Sequence, residues 1–397
     1  MQDPESVSTP FTTEWDLLPH LLKNHLGWGH SISLWRLPDS DEKHLLVSIE
    51  GVKFLNDVAL EESPAGFIFS PFDNEKAKLF LKGDLIFSFK NGELLREGKS
   101  TFDPLDLVNT QKKEQKKTAW FFRDDKSVHS IQQESFTKLV EKCLAGITEG
   151  LFEKVVPSRR QAFPLPTDFD PLAIFHQLCE TYPHAFVSLV STPETGTWIG
   201  ATPELIVSID SAMKFKTVAL AGTQTFKEGT QLKSIAWTQK DIEEQALVCR
   251  YIINCFKKIR LREYVEHGPR TAVAGNLIHL KTDYEVDMVA TNFPQLGSVM
   301  LKLLHPTSAV CGMPLENVKG FLKENEGYDR EYYSGYLGPI NFKNESNLFV
   351  NLRCMQVQKT KAWCYAGAGI TVDSEPELEW QETEMKMNTL LCVLNKQ

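Results

Sequence analysis

Several features that would settle the class of this 397-residue chain at once are missing from it. No apolar stretch approaches the ~20 residues needed to cross a bilayer, and no basic leader followed by an apolar run opens the chain. The eight cysteines, all from Cys143 onward, form no CxxC and no compact spacing, so buried free thiols are expected rather than zinc or disulfides. Positive charge is in deficit: 43 Lys and Arg face 52 Asp and Glu, a net charge of −9, which disfavours non-specific nucleic-acid binding. No internal repeat occurs. The glycines of AGAGI (Ala366 to Ile370) do not make a dinucleotide fingerprint, because Val372 stands where the third glycine belongs. These absences point to a cytoplasmic protein with no membrane and no nucleic-acid partner, expected to be a monomer. A hydrophobic content of 42% supplies a substantial core.

What is present reads as strands and helices without strict βαβ alternation. LIFSFKNGELL (Leu85 to Leu95) predicts a hairpin turning at Asn91-Gly92. QKKEQKK (Gln111 to Lys117) reads as a solvated connector. A helix is expected from a Ser130 cap through IQQESFTKLVEKCLAGI, with Phe136, Val140, Leu144 and Ile147 on one face. Strand-like runs follow at FEKVVPSR, HAFVSLVST, TWIGATPELIVSI and MKFKTVALAGTQTF. Helices are predicted over Thr238–Ile259, Gln295–Leu304, Leu315–Lys323 and Glu377–Val393, with strands at NLFVNLRCMQV and KAWCYAGAGI. The pattern predicts an α+β protein with large, mostly antiparallel sheets flanked by outer helices. Residues 1–130 are expected to complete the sheets and 131–397 to carry the chemistry.

Two helices each carry acidic residues at i, i+3 spacing: Asp241 and Glu244 in TQKDIEEQALV, and Glu379 and Glu382 in EWQETEMK. Residues three apart project from nearly the same side. Such pairs are usually solvated surface, but facing one another they could hold magnesium, which takes one or two carboxylates plus waters and an anionic oxygen. Arg353, among apolar neighbours in VNLRCMQV, reads equally as an outward edge residue or an inward fork for a carboxylate. Gly367 and Gly369 read equally as a tight turn or as backbone N–H groups aimed at an anion. Lys154, Glu204 and His279 are each ordinary taken singly.

Together these pieces resemble the chorismate-utilising enzymes, whose members make isochorismate, salicylate, anthranilate or aminodeoxychorismate. The resemblance runs from about residue 132 to 395 in five ordered blocks: EKVVPSR, GATPELIV, AGT…KDIEEQALV, HPTSAVCGMP and YAGAGITVDSEPELEWQETEMK. It implies the fold of anthranilate synthase component I, chorismate as substrate and Mg2+ as cofactor. By the same resemblance Glu244 and Glu382 would ligate the metal, with Asp241 and Glu379 beside it. Gly222, His279, Ala309, Arg353, Gly367, Gly369 and Lys386 would meet the substrate, and Glu326, Asp329 and Arg330 would support the site. Ile242 and Gln245 depart from the family, which often has arginine and histidine there.

Three positions select a branch. Lys154 matches the lysine that activates water in isochorismate and salicylate synthases. Ala221 stands where aminodeoxychorismate synthases bring a nucleophilic lysine. Ala309 stands where isochorismate synthases carry alanine and salicylate synthases usually threonine. The resemblance therefore implies an isochorismate synthase serving a menaquinone or siderophore route, with Lys154 as base and Glu204 as acid and no glutamine-amidotransferase partner. A salicylate synthase, which goes on to eliminate pyruvate, is the alternative, and a non-catalytic relative the more distant one. The roles need opposed shifts: apolar burial would favour a neutral lysine, and a dry site a protonated Glu204.

Overall fold

The computed structural model describes residues 13–95, 119–123, 129–225, 231–274 and 277–394. The QKKEQKK segment lies outside them. Among the described residues the strands form two nine-stranded sheets and a two-stranded ribbon, and every strand pair is antiparallel. The α+β expectation holds. Strands Ser31–Arg36, Glu42–Ser48, Leu85–Lys90 and Glu93–Leu95 extend one sheet, and Val52–Leu55, Gly66–Ser70 and Lys78–Lys82 extend the other. The Leu85–Leu95 hairpin turns at Asn91 (φ 52°) and Gly92 (φ 80°), the left-handed pair that matches strand twist.

The sheets pack face to face on an aromatic core with residues from both, including Trp35, Phe69, Phe186, Trp198, Phe349 and Trp363. Phe186 and Phe349 stack across it with ring centroids 4.2 Å apart. Helices Glu14–Gly27, Pro171–Thr181 and Pro376–Leu394 cover the outer face of the first sheet, and Gln239–Lys258 and Leu296–Leu304 cover the second. The helix read from Ser130 begins at Gln133 instead. Its N-cap, Gln132, makes no side-chain cap, and Ser130 Oγ accepts from the Ala162 N–H (3.0 Å).

Two runs read as single strands are each broken, and each break carries the chain from one sheet to the other. TWIGATPELIVSI divides into Gly196–Thr202 in the first sheet and Leu205–Ile209 in the second. NLFVNLRCMQV divides into Ser346–Val350 in the second and Cys354–Val357 in the first. Glu204 sits at one crossing. Arg353, with φ 48°, sits at the other and is not within a strand. The two pieces pair in both sheets, Gly200 with Cys354 and Leu205 with Phe349, so the crossings run side by side.

Candidate active site

A pocket with about 590 Å³ of empty space opens beside these crossings. It brings together Glu204, Gly222, Glu244, His279, Ala309, Arg353, Gly367, Gly369, Glu382 and Lys386, which are spread over 183 positions of sequence. Lys154, Asp241 and Glu379 do not line it.

The wall from the second sheet holds His279 and Gly222. Gly222 lies within strand Lys214–Thr225, at an irregularity in its pairing with Leu277–Asp287. Its φ of +64° is a left-handed value that glycine adopts freely, and it turns the N–H towards Glu244 Oε2 (3.3 Å). The Gly222 carbonyl accepts from His279 Nδ1 (2.7 Å), which fixes the proton on that nitrogen and leaves Nε2 a buried acceptor without a partner. Burial, helped by Arg353, lowers the His279 pKa to about 3, so the ring is neutral.

At the crossings, Glu204 is 6% exposed, and Thr307 Oγ1 donates to its Oε1 (3.3 Å). Burial raises its carboxyl to about 7, against the opposing pull of Thr307, Lys154, Arg353 and Lys386. Arg353 faces inward. Burial lowers its pKa, and its guanidinium makes no hydrogen bond or ion pair with a described residue. A cation with unused donors beside a carboxyl that keeps a substantial protonated fraction at neutral pH is suited to receive an anion and to give it a proton.

The helical wall is built on a different plan. Helix Gln239–Lys258 begins with a capping box in which Thr238 and Asp241 satisfy each other. Asp241 Oδ2 accepts from the Thr238 N–H (3.1 Å) and hydroxyl (2.7 Å), so its carboxylate serves the helix end rather than the pocket. One turn on, Glu244 Oε1 accepts from Lys154 Nζ at 2.7 Å. Burial alone would raise the Glu244 carboxyl, but Lys154, Lys386 and Lys240 outweigh it and hold it at about 2. Gly369 makes room for this pair, since an added Cβ would lie 2.6 Å from Glu244 Oε1 and 3.2 Å from Lys154 Cε.

Lys154 is fully buried in the ribbon of Lys154–Val155 with Gly312–Met313, yet its surroundings are not the purely apolar ones expected, because Glu244 meets the amine. On helix Pro376–Leu394, Lys386 pairs with Glu382 (2.5 Å) and donates to the Gly367 carbonyl (2.8 Å). Glu379, 1% exposed, is paired with Lys240. Burial opposes the charge on Lys240, but Glu379, Glu382 and Glu244 outweigh it and raise its pKa. The Glu379 carboxyl also shifts upward, through burial and the neighbouring Glu382.

Supporting groups sit behind the pocket. Buried Arg330 pairs with Glu326 (2.6 Å) and donates to the carbonyls of Val156 (2.7 Å) and Val310 (2.8 Å). Glu326 in turn accepts from the Ser158 N–H (2.6 Å), so this pair braces the segment that presents Lys154. Asp329 lies apart, on the surface with Lys76. Gln245 is buried and donates to Thr282 Oγ1 (3.0 Å), while Ile242 is exposed. Ala221 and Ala309 line the pocket and offer no reactive group.

Sequence reasoning missed Lys240 and Thr307. The lysine stood in view, four residues before Glu244, at a spacing that shares a helix face. Thr307 contacts an acid 103 positions away, and no local pattern signals that.

Comparison with known proteins agrees with this architecture. A family model described as chorismate binding enzyme matches residues 90–395. Isochorismate synthase EntC of Escherichia coli (strain K12) is 25% identical over 342 residues, covering 82% of this chain and 86% of the relative. The structure of MenF, the menaquinone-specific isochorismate synthase from Escherichia coli, superposes with a TM-score of 0.73 at 20% identity, covering 94% of this chain and 91% of that one. Anthranilate synthase component I from Streptococcus pneumoniae gives a TM-score of 0.64 at 19% identity, over 83% and 81% of the two chains. The fold is therefore that of these synthases. With its pocket assembled from residues inside the matched region, the chain belongs to the family of chorismate-binding enzymes.

Proposed function

We propose that this chain is an isochorismate synthase: it adds water at C2 of chorismate, the diene shifts, and the C4 hydroxyl departs as water. The observation that carries the reading is Glu204, a buried carboxyl raised to about 7 in the same pocket as an unpartnered guanidinium. A leaving hydroxyl needs a proton, and a carboxyl still protonated near neutral pH can give one. Arg353 and Lys386 are suited to the carboxylates of a dianionic substrate, which a protein of net charge −9 would otherwise repel. His279 Nε2, a neutral acceptor, is suited to a substrate hydroxyl.

Lys154 is assigned the base. Its amine donates to Glu244, which itself lines the pocket, so the base and the candidate metal site share Glu244.

The residues fit a magnesium ion. Glu244 and Glu382 both line the pocket, and each is already neutralised by a lysine, so both are suited to a cation. Two lining carboxylates suit Mg2+, which takes one or two and completes its shell with water and substrate oxygens. When bound, the ion would clamp the ring carboxylate and offset its charge.

Purified protein incubated with chorismate and Mg2+ should yield isochorismate by chromatography, with ammonium and glutamine changing nothing. Salicylate with pyruvate would replace the proposal by the lyase reading. Unchanged chorismate with and without the metal would overturn it.

A further inference from the structure

The Lys240–Glu379 pair joins the first turns of the two helices that carry Glu244 and Glu382. Lys240 lies four residues before Glu244, and Glu379 three before Glu382, so the contact stands one turn from both carboxylates. Glu379 is 1% exposed. Lys240 meets only Oε1, and Oε2 is buried with no hydrogen-bond partner. An unpaired buried carboxylate oxygen is costly and is a ready donor to any cation that reaches it. The two helices therefore carry three carboxylates, each facing its own lysine: Glu244 and Glu382 line the pocket, and Glu379 stands one turn behind Glu382. The lysines are not equivalent. Lys154 and Lys386 touch the two carboxylates that line the pocket and must yield them to a bound cation, whereas Lys240 touches neither.

We propose that Lys240 sets how many carboxylates the site offers a divalent cation: by holding Glu379 it leaves two, and so keeps coordination positions open for an anionic substrate. The inference rests on the metal-dependent reading above and adds to it a residue that touches neither metal nor substrate. Two carboxylates balance the two charges of the ion and leave a neutral centre that a dianion can approach. Three would leave a net negative centre, which holds the ion tightly without substrate and repels the substrate's carboxylate. Magnesium favours six ligands and keeps several of them as water or substrate oxygens, so the donor count decides what else can bind. Lysine suits the task as a compact point charge that can stay on one carboxylate without bridging to the next.

The test is Mn2+ binding to the full chain, read by electron paramagnetic resonance in the absence of substrate. Lys240→Met should bind Mn2+ about tenfold tighter than the unmodified protein, about 1.4 kcal/mol. Lys240→Arg should keep the original affinity. Lys240→Met with Glu379→Gln should return to it, because the third donor is gone. Glu379→Gln alone should not tighten binding. Lys240→Ala, which likewise lets go of Glu379, should give the same sign as methionine and serves if the methionine variant does not fold. Unchanged or weaker Mn2+ affinity in both the Met and Ala variants would overturn the proposal. Equal tightening by Glu379→Gln would also overturn it and reduce the pair to a clasp between helices. Unmodified protein that takes up no Mn2+, with or without chorismate, would overturn the metal reading itself.

Discussion

The two walls of the pocket follow opposite electrostatic plans. On the helical side three carboxylates each come with a lysine: Glu244 with Lys154, Glu382 with Lys386, Glu379 with Lys240. On the sheet wall, among the described residues, Arg353 has no hydrogen-bond or ion-pair partner, His279 Nε2 has none, and Glu204 has only the hydroxyl of Thr307. Its lysines hold Glu244 at about 2. Unpaired groups pay for burial in their protonation, Glu204 rising to about 7 and His279 falling to about 3. The difference assigns each wall a task. On the proposed function, the self-neutralised wall would exchange lysines for a cation, and the unsatisfied wall would gain partners when substrate arrives.

The largest expected effect comes from cutting the link between the walls. Lys154→Ala should lower kcat for chorismate consumption by about a thousandfold, within the range for a general base. Conversion at an undiminished rate would end the assignment. Next, Glu382→Gln should weaken Mg2+-dependent activity about ten- to a hundredfold, as a lost charged ligand does, read as a rightward shift of the metal titration. Arg353→Met should cost about tenfold or more in kcat/KM, mostly through KM, because a charge-assisted contact is lost. A KM left unchanged would take the guanidinium out of substrate binding.

The pH dependence distinguishes the walls more finely. A Glu204 that acts as acid must start protonated, so kcat/KM should fall as pH rises through about 7. Stability moves with the same sign. Because the folded pKa lies above the unfolded value of 4.5, the contribution is complete below 4.5 and is lost as pH rises through about 7. The loss amounts to about 3 kcal/mol. Glu244 works in reverse, contributing above 4.5 and losing that contribution as pH falls through about 2. The smallest effect is that of Thr307→Val. Thr307 stabilises the ionised Glu204, so its removal should move the upper limb of the kcat/KM profile to higher pH, by less than about one unit. A limb that moves down would show that the hydroxyl serves the protonated form.

The helices carrying Glu244 and Glu382 could be read from sequence because a helix writes its face locally, at three- and four-residue spacing. Thr238 to Ile259 and Glu377 to Val393 fall within two residues of the observed helices. Neither crossing could be read that way. NLFVNLRCMQV is as apolar as one continuous strand, and only the surrounding sheets show that Arg353 breaks it. Glu384 of EWQETEMK pairs with buried Arg159, 225 positions away, whose guanidinium lies 3.7 Å from the Trp380 ring centroid, a contact that no local pattern signals. The sequence by itself determined the class of fold, the helix faces and the residue types of the site, because these follow from short-range periodicity and from ordered blocks. Tertiary structure alone decided which carboxylates meet a lysine and which groups are left without a partner. Two of those pairings, Glu244 with Lys154 and Glu379 with Lys240, join residues some 90 to 140 positions apart, and their energies depend on burial that no local stretch encodes.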